Sequence, residues 1–272
     1  MTTTRLLIVE DNDDIAQMLE IFFAGRGYEA SIAPSGARAM GLGRKIIPSL
    51  ILLDVGLPDT DGYTLFKEFR AVTRLRYTPI IFVTKRSRRE ERLAGLELGA
   101  DDYIHKPFDL EELFLRVQNA INRAARESLA DPRTGLPSAI IVRQELALLP
   151  EGGARRALKF RLRNLDPFLD RYGLLAVSNV LRHTALLLNG VVDEFGDPED
   201  FLGQSGDDSF SVICAGGKAA EIRRAAVDRF NADVNRHYAM TQATPDGVRV
   251  TDAGGHTQLL PIMWLETVEL GG

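Results

Sequence analysis

The chain has 272 residues, 45% hydrophobic and 26% charged, the composition of a folded globular protein and not of a disordered or collagenous one. Thirty-three Lys and Arg against 38 Asp and Glu give a net charge of −5, so no global positive field is available to hold nucleic acid or anionic lipid. The single cysteine, Cys214, excludes an intramolecular disulfide and a thiolate metal cluster, and its place in FSVICAG reads as a buried strand thiol. The opening MTTTRLLIVEDNDD lacks the apolar core of a signal peptide, and no uninterrupted run approaches about 18 apolar residues. The expectation is a cytoplasmic protein without a membrane segment, and the length predicts about two domains.

From the N-terminus, the β-rich runs LLIVE, YEASI, SLILLD, PIIFVT and DYIHK alternate with amphipathic stretches near 13–25, 36–45, 62–74 and 88–98. This alternation predicts an α/β domain: a five-stranded doubly wound parallel sheet with helices on both faces. In such sheets the ligand site forms at the carboxyl ends of the strands. The first run stops at Glu10 and Asp11, the third at Asp54 and the fourth at Thr84, while the fifth leads to Lys106. Three crowded carboxylates repel one another, and a hard divalent cation with oxygen ligands relieves the repulsion, which points to Mg²⁺. A metal and a lysine beside one aspartate also suit in-line phosphoryl transfer, with Asp54 as the nucleophile.

With the motifs VED, LLDVGLPDTDG, VT and KPF in this order and spacing, residues 1 to about 125 resemble the receiver domain of two-component response regulators. The resemblance implies a flavodoxin-like fold in which Asp54 accepts phosphate from a histidine kinase or a phosphotransfer protein. It further implies that Glu10, Asp11, Asp54 and the Gly56 carbonyl hold Mg²⁺, that Thr84 and Lys106 bind the phosphoryl oxygens, and that Tyr103 is the aromatic switch residue. Lys85 stands where the family has a small residue, which narrows the phosphoryl pocket or raises its charge. Arg86, Arg88 and Arg89 read as a solvated cationic face at the start of the fourth helix.

The receiver core is placed at 1–108 and its last helix at 109–130, extended as a linker because DLEELFLRVQNAINRAARESLA contains neither Gly nor Pro. Leu110, Leu113, Val117, Ile121 and Ala124 form one stripe, expected to pack on the core and, past about residue 120, to offer a homodimer seam. DPRTGLPS at 131–138 breaks the helix and marks the boundary to a second domain, 131–272.

That segment resembles the opening of the GGDEF domain of diguanylate cyclases. RLRNLDPFLDRYG at 161–173 resembles a second motif of that family, and GDDSF, Gly206 to Phe210, occupies the place of its signature hairpin. The resemblance implies a second α/β domain of nucleotidyl-cyclase-like fold, degenerate in its chemistry. Arg161 and Arg163 stand where the metal aspartate and its companion belong, and Asp166 where a lysine belongs. Leu169 and Ser178 replace the guanine-binding residues, which removes polar partners of the base. In the signature, Gly206 and Asp208 survive while Asp207 and Ser209 depart from it. DPED at 197–200 lacks the arginine of the inhibitory motif, and the terminal helix of active members is missing from the sequence.

Around these losses a scaffold remains: Leu158, Phe160, Leu162 and Leu165 alternate as a strand, LLAVSNVLRHTALLL reads as a helix and FSVICA as another strand. His105, His183, His237 and His256 show no metal-ligand spacing and read as surface or capping residues, and DAGGHT reads as a hairpin turn. The expected function is a response regulator phosphorylated on Asp54, with a catalytically inactive GGDEF-like module that binds a downstream protein or a second copy. The alternatives are a residual diguanylate cyclase using Asp208 with Asp207 or Asp166, and a nucleotide sensor without turnover. DNA binding is not expected, because no helix-turn-helix pattern is present and the part beyond residue 108 has more acidic than basic residues.

Overall fold

The computed structural model describes residues 4–85, 99–126, 129–150, 152–238, 243–244, 247–251 and 257–270. The chain divides into two compact units, residues 3–138 and, with the first two residues, 139–272. Each has its own sheet.

In the first unit, strands β1 (Thr4–Val9), β2 (Tyr28–Ala33), β3 (Leu50–Leu53), β4 (Ile80–Thr84) and β5 (Asp102–His105) form one sheet of order β2-β1-β3-β4-β5, parallel throughout. The central strands are apolar on both faces, as a sheet covered on both sides requires. Leu7, Val9, Ile51, Leu53, Ile80 and Phe82 face one core with Leu65, Phe66 and Phe69 of α3 (Gly62–Ala71) and Ala39 of α2 (Gly36–Ile46). Leu6, Ile8, Leu50, Leu52, Ile81 and Val83 face the other, with Leu19 and Phe23 of α1 (Asp13–Ala24) and Leu113, Val117 and Ala120 of α4 (Leu110–Arg126).

Local chemistry sets where these helices begin. The side chains of Asn12, Ser35 and Asp61 accept from the amides of Ile15, Arg38 and Tyr63, and Asp109 accepts from Glu111 and Glu112, so orphan first-turn donors are satisfied. The expected helix at 88–98 and the cationic Arg86, Arg88 and Arg89 lie outside the described residues.

Two expectations for the last helix are corrected. Its described part ends at Arg126 and does not run to Ala130, because Ala130 pairs with Pro137 in an isolated bridge. The apolar stripe is no free dimer seam: Leu113 and Val117 are fully buried, Ala124 nearly so, and Leu110 and Ile121 pack against the same core. The segment after the helix groups with the first unit, so the division falls after Ser138 and not at Asp131. A physical reason is the buried Arg5 at the start of β1, whose Nη2 donates to the Thr134 carbonyl at 2.8 Å.

The second unit is built on an antiparallel sheet of order β12-β6-β8-β7, from β6 (Arg155–Arg163), β7 (Phe201–Gln204), β8 (Ser209–Ala215) and β12 (Trp264–Leu270). The short strands β9 (Ala243–Thr244), β10 (Gly247–Thr251) and β11 (Thr257–Leu260) make a separate antiparallel sheet. The helices are α5 (Ala139–Ala147), α6 (Leu165–Phe195) and α7 (Gly216–Asp233), followed by a short 3₁₀ turn, Val234–His237. Leu165 opens α6 and does not extend the strand as the alternation predicted, because β6 ends at Arg163 and Asn164 takes a left-handed conformation. Cys214 is buried in β8, and residues 252–256, with His256 and the expected turn, lie outside the described residues.

Helix α6 is long and apolar enough to cross a membrane by length and composition. It is interrupted at Gly173 (φ 78°), where only a residue without Cβ avoids strain. Beyond that kink Val177, Val180, Leu181, Leu188, Val191 and Val192 are buried, and the helix packs against α7, so these apolar side chains serve the core of this unit.

Candidate functional site

In the first unit the sheet hydrogen bonding continues one residue past several strands and thereby fixes the side chains at their carboxyl ends. Glu10 N donates to Ala33 O, Asp54 N to Val9 O and Lys106 N to Thr84 O, at 3.1, 2.9 and 2.9 Å. Three charged groups meet as a result. Lys106 Nζ lies 2.6 Å from Asp54 Oδ2 and 2.5 Å from Glu10 Oε2, and all three residues are buried. Asp54 Oδ1 accepts from Gly56 N at 3.1 Å, so both oxygens of this carboxylate have donors. Gly62 makes the approach possible, because a Cβ there would lie 2.5 Å from the Asp54 carbonyl oxygen.

Asp11 completes the acidic cluster from the solvent side. Ligand oxygens of Glu10, Asp11 and Asp54 all lie within 4.8 Å of one another, and Asp11 is exposed. Burial pushes the Glu10 carboxyl above its usual range, the Lys106 ammonium beside it pulls it back, and the negative charge of Asp54 adds to the rise. Crowded, partly buried oxygen donors with an exposed edge fit a hard divalent cation, which can enter with water still attached.

Thr84, at the end of β4, is buried, while Lys85 after it is exposed and its carbonyl is 3.1 Å from His105 Nε2. Tyr103 is turned into the core, its ring 6.2 Å from that of Phe82, which stands 5.1 Å from Tyr63. Every predicted residue of this first site thus lies at or just beyond the carboxyl end of a strand, apart from Tyr103 inside β5.

In the second unit the signature segment forms the tight β7–β8 connection, in which the amides of Ser205 and Gly206 donate to Ser209 O. Ser209 and Phe210 are buried in β8. Asp208 points its carboxylate at Arg161, whose Nε donates to Oδ2 at 2.7 Å across the β6–β8 ladder. Arg163, two residues on in β6, donates from Nε to Glu266 of the neighbouring β12 at 2.5 Å. The two arginines therefore spend their charge on carboxylates of the same sheet.

The reading of the histidines as surface residues is corrected for two of them. His183 of α6 and His237 of the 3₁₀ turn are part-buried and face each other, Nδ1 to Nε2, at 3.0 Å, and His183 Nε2 stands 3.2 Å from Asp233 Oδ2. Burial, then the charge of Arg236, lowers the His183 imidazole; burial, then the His183 ring and Arg236, lowers that of His237 to about 4. No sequence spacing signals this pair, because its members are 54 residues apart.

Residues 6–118 match the family described as the response regulator receiver domain. The DNA-binding dual master transcriptional regulator RpaA of Synechocystis sp. is 30% identical over 186 residues, covering 65% of this chain and 76% of that one. The TorCAD operon transcriptional regulatory protein TorR of Escherichia coli is 40% identical over 130 residues, 48% of this chain and 55% of that one. Apart from RpaA, the chain spans about half the length of most curated relatives it matches. Among solved structures, a response regulator from Chloroflexus aurantiacus is 41% identical, with a TM-score of 0.43 over 44% of this chain and 99% of that one. Receiver domains bind Mg²⁺ at an acidic site, and the cluster of Glu10, Asp11 and Asp54 is consistent with one.

Proposed function

The chain belongs to the response regulators, and from that premise we propose that Asp54 is its phosphoacceptor and that the second unit is a catalytically silent GGDEF-like module whose output is contact with another protein. The observation that carries the first part is the buried meeting of Lys106 with Asp54 and Glu10. A carboxylate oxygen of Asp54 attacks the phosphorus of a phosphohistidine. The P–N bond breaks, its electron pair stays on the imidazole, and an acyl phosphate forms on Asp54.

Mg²⁺, when bound, supplies charge neutralisation on the transferred oxygens. Glu10, Asp11, Asp54 and the Gly56 carbonyl are the groups that would hold it. Lys106 offers its ammonium to the phosphoryl oxygens and Thr84 its hydroxyl, and Tyr103 is the aromatic residue that follows the change. A preference of a few kcal/mol for the phosphorylated arrangement is enough to turn a minor state into the major one.

For the second unit, support comes from the chain order β6, kinked α6, β7, β8, α7, β12 in an antiparallel sheet with GDDSF at its hairpin. Further support is the Arg161–Asp208 ion pair, which sets a cation against the surviving signature carboxylate. A guanidinium cannot ligate Mg²⁺, so cyclase chemistry is not expected, and neither is nucleotide sensing once the guanine partners are lost. The histidine kinase or phosphotransfer protein, a downstream protein and a second copy are the proposed partners, in the cytoplasm.

Acetyl phosphate labelling tests the first part: the wild type is labelled and Asp54→Asn is not, and persistent labelling of that variant refutes the assignment. Incubation with GTP, Mg²⁺ and beryllofluoride tests the second. Cyclic diguanylate that vanishes in Asp208→Ala would make the protein a regulated cyclase. The relatives RpaA and TorR are transcriptional regulators, RpaA a DNA-binding one, which favours a second reading, DNA-binding transcriptional regulation. A genomic DNA selection with the beryllofluoride-treated protein decides it, since a recovered sequence bound specifically at physiological salt would replace the protein-contact reading.

A further inference from the structure

A constellation that the proposed function does not use stands where α6 meets the end of α7. His183 Nε2 stands 3.2 Å from Asp233 Oδ2; in the tautomer that donates from Nε2 to this carboxylate, Nδ1 of the same ring is a bare lone pair. That nitrogen faces His237 Nε2 at 3.0 Å, and the rings lie 4.8 Å apart centre to centre. Arg236 binds Asp233 Oδ2 at 2.8 Å and stands 3.4 Å from His183 Nε2, so the same carboxylate offsets part of its positive charge. The ring of Phe230 lies 6.4 Å from that of His183, tilted by 33°.

We propose that His183 Nδ1 and His237 Nε2 are the two protein ligands of a site for one divalent transition-metal cation of the Ni²⁺, Cu²⁺ and Zn²⁺ class, with Asp233 as the carboxylate that orients the His183 ring. Nitrogens bound to one ion at about 2.0–2.1 Å and at a right angle are about 2.9 Å apart, close to the separation found. A carboxylate on the far nitrogen of a ligating histidine fixes its tautomer and raises its basicity. The ion takes the place of the proton between the rings. His237 then carries its proton on Nδ1 in place of Nε2, so no net proton is lost, and water fills the remaining positions. Imidazole nitrogens select this class of ion, whereas the all-oxygen cluster at Asp54 selects Mg²⁺. The two sites are therefore separable by metal.

The test is isothermal titration of the metal-stripped full chain with NiCl₂, in excess Mg²⁺ so that the carboxylate cluster is occupied. The expected result is one Ni²⁺ per chain, lost in the double variant His183→Gln, His237→Gln and roughly tenfold or more weaker in Asp233→Asn. Cu²⁺ in place of Ni²⁺ should give an electron paramagnetic resonance spectrum split by two imidazole nitrogens. A double variant that folds and still binds the same equivalent overturns the proposal. So does a wild-type Cu²⁺ spectrum without the two-nitrogen splitting, a readout that stands even where the double variant fails to fold.

Discussion

Lys106 Nζ stands 2.6 Å from Asp54 Oδ2, although 52 residues separate the two along the chain, and both side chains are buried. The ammonium also holds Glu10, so a single cation keeps two buried carboxylates from facing each other uncompensated. Lys106→Ala should therefore cost stability on the order of 3 kcal/mol without metal. Mg²⁺ should restore part of the loss, and urea denaturation followed with and without Mg²⁺ checks both.

Gly62 and Gly41 offer a paired test of close approach. A Cβ at Gly62 would lie 2.5 Å from Asp54 O and 2.6 Å from Val55 Cα, whereas one at Gly41 would meet nothing within 4 Å. Gly62→Ala should destabilise by about 1–3 kcal/mol and lower acetyl phosphate labelling by displacing Asp54. Gly41→Ala, inside α2, should stabilise by about 0.5–1 kcal/mol and leave labelling unchanged.

Asp59 caps α2 from the loop after β3. Its Oδ1 and Oδ2 accept from the amides of Gly36 and Ala37 at 2.8 and 3.0 Å. These bonds hold the carboxyl below its usual range, that of Ala37 most. In Asp59→Ala the amides of Gly36 and Ala37 should exchange with deuterium faster, with no change in amides at the helix end; unchanged exchange at both would remove the cap from the account of this helix.

The histidine pair gives the second unit a pH dependence. His237, lowered to about 4 from 6.5, stays neutral in the fold while the unfolded chain takes up a proton below about pH 6.5. Its contribution is complete above that value and is lost as pH falls from 6.5 through 4, by up to about 3.4 kcal/mol at full value and roughly 2 kcal/mol once solvent screens this part-exposed ring. Thermal unfolding across pH 4–7 should show a steeper loss in the wild type than in His237→Gln.

Much of the first unit was legible in the residues. The strand runs are apolar and the site residues stand where those runs stop, whereas the caps Asn12, Ser35 and Asp61 were found only in the structure. The end of α4, the last helix of the first unit's sheet layers, was misjudged, because a stretch without Gly or Pro says what a helix tolerates and not where Ala130 finds a partner in Pro137. Its apolar stripe was partly misread for a related reason. Amphipathicity identifies a face to be buried, and the sheet of the same unit covered it.

By itself the sequence determined the parallel α/β order of the first unit and the acidic strand ends with their lysine, because local periodicity and strand termini are properties of neighbouring residues. The tertiary structure alone decided the antiparallel order of the second sheet, the Arg161–Asp208 pairing over 47 residues and the Asp233–His183–His237 line. Each of these depends on which distant segments share a ladder or a helix contact. Short-range hydrogen bonding and side-chain spacing carry no record of that, since burial of the same apolar faces can be satisfied by more than one partner.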